Sequence, residues 1–484
     1  MVTAATTAAV NRFGLGAAPG ERDAVGDPRG WLHAQLHRTP DLAAFAGLPD
    51  SLDLLRRQIA YRQQRRRAKT QPQDIDATAT DPRTARRRAD NGDDPLPTPT
   101  QQSLRRDAVD DIARRYRVAA ITAQPFVERL VHFWSNHFAI SIDKTAARLF
   151  AAPMEREAIR PHVLCNFRDL LLAVETHPGM LLYLDNAASV GDDSAFVRRA
   201  AARNPSRKLG LNENLAREIL ELHTLGVNGG YAQQDVTELA RAITGWGVPI
   251  PRDIAAADTM FVFRAVAHEP GGRRVLGRTY ADAGEAQGRA ILRDLALHPA
   301  TARHLAFKLA RHCVADAPPP ALVERMAAAY LRSGGELTAL YGAMIDDDAA
   351  WSPDARKFKT PQDFAISALR AGGIRIDDGL DARQMALLGL LRSLGQPAFT
   401  PRSPAGFPDT AADWASGDAL RKRLQAAAML ADRVDDSRRP RDLAADVLGE
   451  AALADGLGDA LRRVGSSREG HALLFASPAF QWRM

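Results

Sequence analysis

The chain has few of the residues that mark several classes of protein. Its two cysteines, Cys165 and Cys313, provide neither a disulfide framework nor a pair of zinc-binding Cys-x-x-Cys motifs. No run of about 18 apolar residues occurs, so the sequence predicts no membrane span. Aromatic residues make up only 6% of the 484 residues and β-branched runs are scarce, which favours helices over strands.

Several catalytic signatures are also absent. The sequence contains no G-x-S-x-G elbow, no GxxxxGK[ST] loop and no GxGxxG fingerprint after a strand. Serine hydrolases of the elbow type, P-loop NTPases and Rossmann dehydrogenases are therefore disfavoured. The first 20 residues lack a basic region followed by an apolar stretch, which predicts a cytoplasmic protein, or an exported one if a leader has been removed.

The net charge of +6 is concentrated in one segment. Residues 62–89 hold nine basic and three acidic residues, so charges balance elsewhere in the chain. No other part resembles a phosphate-binding surface, and we expect no specific binding to nucleic acid. Because 62–102 is basic, rich in Gln, Thr, Asp and Pro and almost without aliphatic residues, we predict that it is a disordered insertion.

Most of the remaining chain has helical periodicity. The predicted fold is mainly α, a large multi-helix domain with one small β-hairpin at 260–280, where Phe261–Arg264 and Arg274–Gly277 flank a His-Glu-Pro-Gly-Gly turn. We divide the chain into N-terminal helices, the insertion, a helical core with the polar motifs, and a C-terminal helical tail: 1–61, 62–102, 103–430 and 431–484. Predicted core helices include 103–122, 127–138, 153–175, 211–225, 235–244, 300–313 and 361–371.

Polar residues concentrate in three segments: VHFWSNHF, ETHPGMLLYLDN and residues 211–246. In the third segment, Glu213, Arg217 and Glu221 are spaced i, i+4, i+8, as in an ion-pair ladder. At 100° per residue they form one polar stripe with Asn214 and Glu218. Periodicity alone favours a solvated helix face. The asparagines in the first turn and a tryptophan soon after the second helix favour a functional surface instead.

The histidine spacing does not predict a compact metal site. His132 and His137 are five residues apart, about 140° around a helix, so they do not share a face. No His follows a Glu by three residues in the di-iron pattern. We therefore predict no metal and no other cofactor, with a divalent ion held by histidines from separate helices as the minority alternative.

The sequence resembles a large bacterial family, the domain of unknown function 1800. The resemblance is carried in order, over roughly residues 10 to 430, by NRFGLGA, ERLVHFWSNHFAIS, HPGMLLYLDN, NENLAREILELHTLGVNGGY with DVTELARAITGW, HEPGGRRVLG, KFKTPQDF and SPAGFPDTAADW. It implies a mostly helical architecture with the NEN helix at its centre. The sequence departs from the family pattern at Glu269, Arg273 and Phe407, where Asp, Lys and Trp are usual, and in lacking an export leader.

The resemblance implies no established activity. Members of the family are often exported and commonly neighbour a sulfatase-like family, which points to chemistry on an envelope or extracellular polymer. That association makes a sulfatase-like protein a possible partner. The sequence assigns no oligomeric state.

Two hypotheses follow from the polar segments. In the first, the protein is a hydrolase-like enzyme with an acid and a base among carboxylates and histidines in a helical cleft. Its catalytic residues would be Glu213, Glu218, Glu221, His137 and His177, and its substrate-binding residues Trp134, Asn136, Asp185, Asn214, Arg217, Glu238, Arg241, Trp246 and His268. In the second, the same residues form a buried structural network of a non-catalytic scaffold or binding partner.

Overall fold

The computed structural model describes residues 3–70, 99–204, 209–376, 382–454 and 456–483. Helices dominate these residues, which confirms the predicted mainly α fold. They are α1 (Ala4–Ala8), α2 (Glu21–Ala24), α3 (Pro28–Leu36), α4 (Ser51–Thr70), α5 (Pro99–Ile121), α6 (Pro125–His137), α7 (Ala151–Met154), α8 (Phe167–Glu175), α9 (Pro178–Tyr183), α10 (Ala195–Arg203), α11 (Asn214–Glu218), α12 (Gln233–Ala242), α13 (Glu285–Ala296), α14 (Pro299–Cys313), α15 (Pro320–Arg332), α16 (Leu337–Asp346), α17 (Pro361–Gly372), α18 (Ala382–Ser393), α19 (Ala411–Trp414), α20 (Gly417–Ala431), α21 (Pro440–Leu448), α22 (Leu457–Arg463), α23 (Ser467–Ala476) and α24 (Pro478–Gln481).

Shorter helical segments connect or extend these helices. Three have π geometry: Ala9–Phe13, Glu155–Ile159 and Ile219–His223. Six are 3₁₀ turns: Ala43–Phe45, Arg160–His162, Asn186–Ala188, Ala265–Ala267, Asp348–Trp351 and Glu450–Leu453. Among the described residues no helix combines the length and apolar character needed to cross a bilayer.

Proline begins the helices that build the central part of the molecule. Pro125, Pro299 and Pro361 are the first residues of α6, α14 and α17. Proline suits this position because its missing N–H would be unpaired in the first helical turn in any case, and its fixed φ is already helical. These prolines therefore place the starts of the three helices.

In the described part of the chain, the strands form three two-stranded antiparallel sheets. They pair β1 (Trp246–Gly247) with β2 (Val262–Phe263), β3 (Arg273–Val275) with β4 (Arg278–Tyr280), and β5 (Lys357–Phe358) with β6 (Trp482–Arg483). The hairpin β3–β4 lies in the predicted interval, but its turn is Leu276-Gly277 rather than the His-Glu-Pro-Gly-Gly segment. Leu276 and Gly277 have φ of 50° and 78°, the left-handed pair that a tight two-residue hairpin turn requires.

Two large hydrophobic clusters form the core. The first surrounds α6 and α14 and includes Phe126, Trp134, Leu170, Leu305 and Tyr341, all fully buried. The second lies between α5, α17 and the C-terminal helices, with Tyr116, Phe364, Ala427, Leu474 and Phe475 among its members. The segment after residue 431 thus packs against α17, and its strand β6 returns to β5.

Some element boundaries differ from the predicted ones. Helices α4 and α5 include both ends of the predicted insertion, and its residues 71–98 lie outside the described part of the chain. The helix expected at 153–175 is interrupted by a π segment and a 3₁₀ turn, and it restarts at Phe167. Pro161, which donates no backbone hydrogen bond, lies in that interruption, and Asn166 caps the new helix by accepting from Arg168 N.

Candidate active site

Helix α14 carries a polar face near its C-terminal end. Lys308 and His312 are four residues apart and lie on the same side, with Arg311 between them in sequence. The adjacent face, with Leu305, Leu309 and Cys313, is fully buried in the core. Burial of that apolar face fixes the direction of the three polar side chains.

These polar side chains line a cavity of about 210 Å³. Helix α6 and the segment leading into α19 supply the other walls, namely Phe133, Asn136, His137, Ala405, Phe407, Pro408, Asp409 and Asp413. A second cavity of about 60 Å³ shares His312 and Asp409 with the first and is also lined by Ser135. His312 and Asp409 therefore lie beside both spaces.

His312 and Asp409 form a hydrogen-bonded pair. Nδ1 of His312 donates to Oδ2 of Asp409 at 3.0 Å, and the two side chains are 15% and 21% exposed. Nε2 of His312 has no hydrogen-bond partner among the described residues. A carboxylate that accepts from Nδ1–H leaves the lone pair on Nε2, which is the arrangement of a general base.

The surroundings set the protonation of this pair. Burial lowers the pKa of His312, and Asp409 opposes that effect only in part, so the imidazole is neutral at pH 7. Burial alone would raise the pKa of Asp409, but His312 and Lys357 hold it below its usual value. The carboxylate is therefore ionised, and the buried Nε2 is the ring nitrogen that carries no proton.

Lys308 lines the cavity without an ion-pair partner among the described residues. Its ammonium makes no hydrogen bond or ion pair with any described residue. Burial lowers its pKa to about 8, with Asp409 opposing and Arg311 adding to that effect. Arg311 also has no ion pair, and its Nε is buried without a hydrogen-bond acceptor.

The loop that carries Asp409 is held by α6. Asn136 donates to the carbonyl of Phe407, and the Phe407 N–H donates back to Oδ1 of Asn136. Gly406 approaches the backbone of Asn136 closely. Its φ is 84°, and a Cβ at this position would lie 2.3 Å from the Asn136 carbonyl oxygen. Glycine is therefore required at this position.

Neighbouring ion pairs and hydrogen bonds hold the segments that carry His312 and Asp409. Lys357 binds Asp316 and the carbonyl of Asp409, and its Nζ lies 3.5 Å from Oδ1 of Asp409. Arg483 in β6 donates to the carbonyl of His312 at 2.8 Å. Arg129 binds Asp363 at 3.0 Å, and Arg483 lies 3.7 Å from the same carboxylate. The C-terminal strand thus contributes directly to the site.

His137, a predicted catalytic residue, lines the same cavity and joins a cluster of histidines. Its Nε2 donates to the carbonyl of His223, and its ring lies 6.2 Å from that of His223 and 6.1 Å from that of His304. Burial lowers the pKa of His137 well below its usual value, so the ring is neutral. His223 in turn donates to Glu175 at 2.7 Å, and both side chains are fully buried.

The predicted glutamate helix lies partly apart from this cavity. Glu213 binds Arg217 at 3.1 Å and accepts from Gln233 and Thr237, whereas Glu221 accepts from Tyr231 at 3.3 Å. The i, i+4, i+8 ladder is incomplete because α11 changes to π geometry at Ile219, which alters the angular spacing. Burial raises the pKa of Glu218, whose electrostatic neighbours include His223.

The other predicted site residues are distributed among several environments. His177 caps α9 and lies 3.3 Å from both Ser51 and Glu157, and no contact in the described structure joins it to His137 or the three glutamates. Trp134 and Trp246 are buried in the core. The rest are placed as follows: Asp185 binds Lys144, Glu238 binds Arg241, His268 contacts Thr244, and Asn214 is exposed.

Sequence reasoning missed Lys308, Arg311, His312 and Asp409. One signal was available, because only seven of the 64 basic residues are lysine. Lys308, Lys357 and Lys359 are three of these seven. Burial lowers the pKa of Lys359 to about 7, and its Nζ lies 3.9 Å from the centre of the Phe480 ring. The scarcity of lysine in the sequence is a weak sign of a functional site. The occurrence of three of the seven lysines in one region of the fold is a stronger one.

A larger cleft of about 720 Å³ between α4 and α5 has a different character. Its lining is mainly apolar and includes no histidine, serine, lysine or cysteine among the described residues. It contains Asp111, whose pKa burial raises to about 6, but this carboxylate lies 3.5 Å from Arg156. The imidazole, carboxylate and ammonium groups converge instead at the smaller cavity.

Within the described ranges, no group of three or more His, Cys, Asp or Glu side chains is arranged to hold a metal ion. The fold and site define a helical protein with a His–Asp pair beside a small, cation-lined cavity. A family model described as "Protein of unknown function (DUF1800)" matches residues 8–482, so the chain belongs to this family. No curated protein and no solved structure shows significant similarity to it.

Proposed function

We propose that the protein is a hydrolase whose active site is the cavity beside His312 and Asp409. In this proposal, Nε2 of His312 takes a proton from an attacking water while Asp409 holds the opposite ring nitrogen. The positive charges of Lys308 and Arg311 stabilise the oxyanion that develops on the substrate. The His312–Asp409 hydrogen bond at 3.0 Å, with an unpartnered Nε2, is the observation that carries the proposal.

The size of the cavity limits what enters it. A space of about 210 Å³ holds one small acyl, phosphoryl or sulfuryl group rather than a length of polymer. The polymer chemistry expected from the family's neighbours is therefore compatible only with attack on a terminal or pendant group. Asn136 and His137 are the predicted residues that we retain in this site, as positioning and lining groups.

The proposal is tested with chromogenic esters of small acids. p-Nitrophenyl acetate, phosphate and sulfate are offered to the native protein and to His312→Gln and Asp409→Asn. We expect at least one ester to be hydrolysed, and kcat/KM to fall by about 100-fold in His312→Gln. Glu213→Gln is the matched control, because Glu213 lies in another network and should leave the rate unchanged. Absence of hydrolysis, or equal rates in all variants, contradicts the proposal.

The scaffold alternative is supported by a different group of residues. Arg160 binds Glu128 at 2.5 and 2.8 Å, and Arg115 binds Glu155 at 2.6 Å, all within the core. Such paired buried charges orient helices and need no substrate. If the protein is a scaffold with a sulfatase-like partner, His312→Gln should change local stability but not the rate of ester hydrolysis. The same kinetic comparison measures that rate.

A further inference from the structure

Two cations that line the 210 Å³ cavity form no ion pair in the described structure. Lys308 makes no hydrogen bond or ion pair there, and Arg311 makes only a ring contact, 5.9 Å from the centre of Phe307. Both residues are partly exposed where they line the cavity, so their charges are available to a ligand. The two groups are three residues apart on α14, so they lie on neighbouring parts of one helical face.

Two buried cations close to the site, Lys357 and Arg129, are paired, whereas the buried Lys359 makes only a ring contact with Phe480 among the described residues. Lys357 binds Asp316 and Asp409, and Arg129 binds Asp363. Lys308 and Arg311 differ from Lys357 and Arg129 in having no ion pair, although both line the cavity. Two unpaired positive charges that face one cavity attract a negatively charged group from outside the chain.

The remaining charges that face the cavity do not supply that partner. Asp409 is engaged by His312 and Lys357, and the exposed Asp413 accepts from Thr410. His137, His304 and His312 contribute no positive charge near neutral pH, because burial lowers the pKa of each, that of His304 to about 4. The cavity therefore combines two unpaired cations with neutral imidazole rings and two carboxylates, Asp409 and Asp413, that are hydrogen-bonded to other residues.

We infer that Lys308 and Arg311 bind an oxyanion, so that the substrate of this site carries a carboxylate, phosphate or sulfate group. The inference rests on the proposed function in treating this cavity as the substrate site, and it specifies the class of substrate. Arg311 supplies a planar fork of N–H donors and Lys308 a compact charge, which together suit a group with several equivalent oxygens. The three anions share this chemistry, and the experiment distinguishes among them.

Isothermal titration calorimetry with acetate, inorganic phosphate and inorganic sulfate tests the inference. The native protein should bind at least one of them, and Lys308→Met and Arg311→Met should each weaken that binding by about 10-fold or more. Lys308→Arg keeps the charge and should retain most of the affinity. Arg303→Met is the matched control, since Arg303 is on the same helix, is exposed and pairs with Glu324. Circular dichroism confirms that each variant is folded.

Affinity should also depend on pH in one direction. Lys308 must be protonated to attract an anion, so affinity should fall as pH rises above about 8, and Lys308→Arg should remove this dependence. Absence of binding to all three anions, or equal affinity in native protein and Lys308→Met, overturns the inference. Failure of the proposed function is distinguishable from failure of this inference. Anion binding without ester hydrolysis supports a binding protein. Hydrolysis without anion binding supports an enzyme for neutral substrates.

Discussion

Asn136 and Phe407 exchange two hydrogen bonds, at 2.9 Å from Nδ2 to the Phe407 carbonyl and at 2.8 Å from the Phe407 N–H to Oδ1. They are 271 residues apart in sequence and join the end of α6 to the loop before α19. Two residues beyond Phe407, Asp409 accepts from His312. One amide side chain therefore fixes the loop that brings the carboxylate to the histidine.

Asn136→Ala should loosen this loop and misplace Asp409. Loss of two partly buried hydrogen bonds should lower the free energy of unfolding by about 1–2 kcal/mol and reduce ester hydrolysis by about 10-fold or more. Denaturant titration and steady-state kinetics measure the two effects. Asn166→Ala is the control, because Asn166 donates to Gly334 and Glu336 away from the cavity. Equal losses of activity in both variants would show that Asn136 has no particular role at the site.

The rate of hydrolysis should have a bell-shaped dependence on pH. His312 must be neutral to act as a base and its pKa lies below 6.5, so the rate rises as pH increases through that lowered pKa. Lys308 must be charged, and its pKa is about 8, so the rate falls at higher pH. Lys308→Arg should remove the alkaline limb and leave the acidic limb in place. A profile that is flat from about pH 5 to 9 would exclude both roles.

Asp363 should be essential for stability rather than catalysis. Arg129 and Arg483 hold its pKa well below its usual value, against the opposing effect of burial. A lowered pKa contributes stability above the unfolded value of about 3.8 that is lost as pH falls through the folded pKa. Asp363→Asn should destabilise the protein by about 3 kcal/mol or more, since it leaves two buried guanidinium groups uncompensated. Asp418→Asn, at an exposed carboxylate, should leave the melting temperature unchanged.

Glu213 and Glu218 should respond oppositely to replacement by glutamine. The hydrogen bond from Thr237 is the main cause of the lowered pKa of Glu213, so Glu213→Gln should cost about 1 kcal/mol or less at this half-exposed position. Burial raises the pKa of Glu218, which makes its charge unfavourable at pH 7, so Glu218→Gln should be neutral or stabilising. Thermal melts at pH 7 measure both effects. A clear loss of stability in Glu218→Gln would show that the Glu218 carboxylate has a stabilising partner.

The helices were predictable where apolar spacing and start signals agree. Helices α6 and α14 begin at proline and continue with a buried stripe, and their predicted ranges differ from the observed ones by only a few residues. The arrangement around Glu213 was less predictable. The helical-wheel projection of Glu213, Arg217 and Glu221 at 100° per residue assumes an α-helix throughout. The chain instead adopts π geometry from Ile219 to His223.

The site itself depends on contacts that no local pattern contains. His312 and Asp409 are 97 residues apart, and Asp409 lies in a segment without regular structure before α19. FWSNHF, KFKTPQDF and SPAGFPDTAADW each contribute residues around His312, so the segments that carry the resemblance meet at this cavity, which their sequences did not indicate. Periodicity describes one face of one element, and convergence requires the tertiary packing of several.

Replacement of Ser135 tests whether the nucleophile in ester hydrolysis is water or a side chain. Its hydroxyl lines the 60 Å³ cavity with His312 and Asp409, but it forms no hydrogen bond to His312 in the described structure. An activated serine needs its base within hydrogen-bond reach, so we expect Ser135→Ala to retain hydrolysis within about 3-fold and a fluorophosphonate probe to leave Ser135 unlabelled. His312→Gln should lose activity in the same assay. Loss of activity in Ser135→Ala together with labelling of Ser135 would replace the attacking water by a covalent serine mechanism.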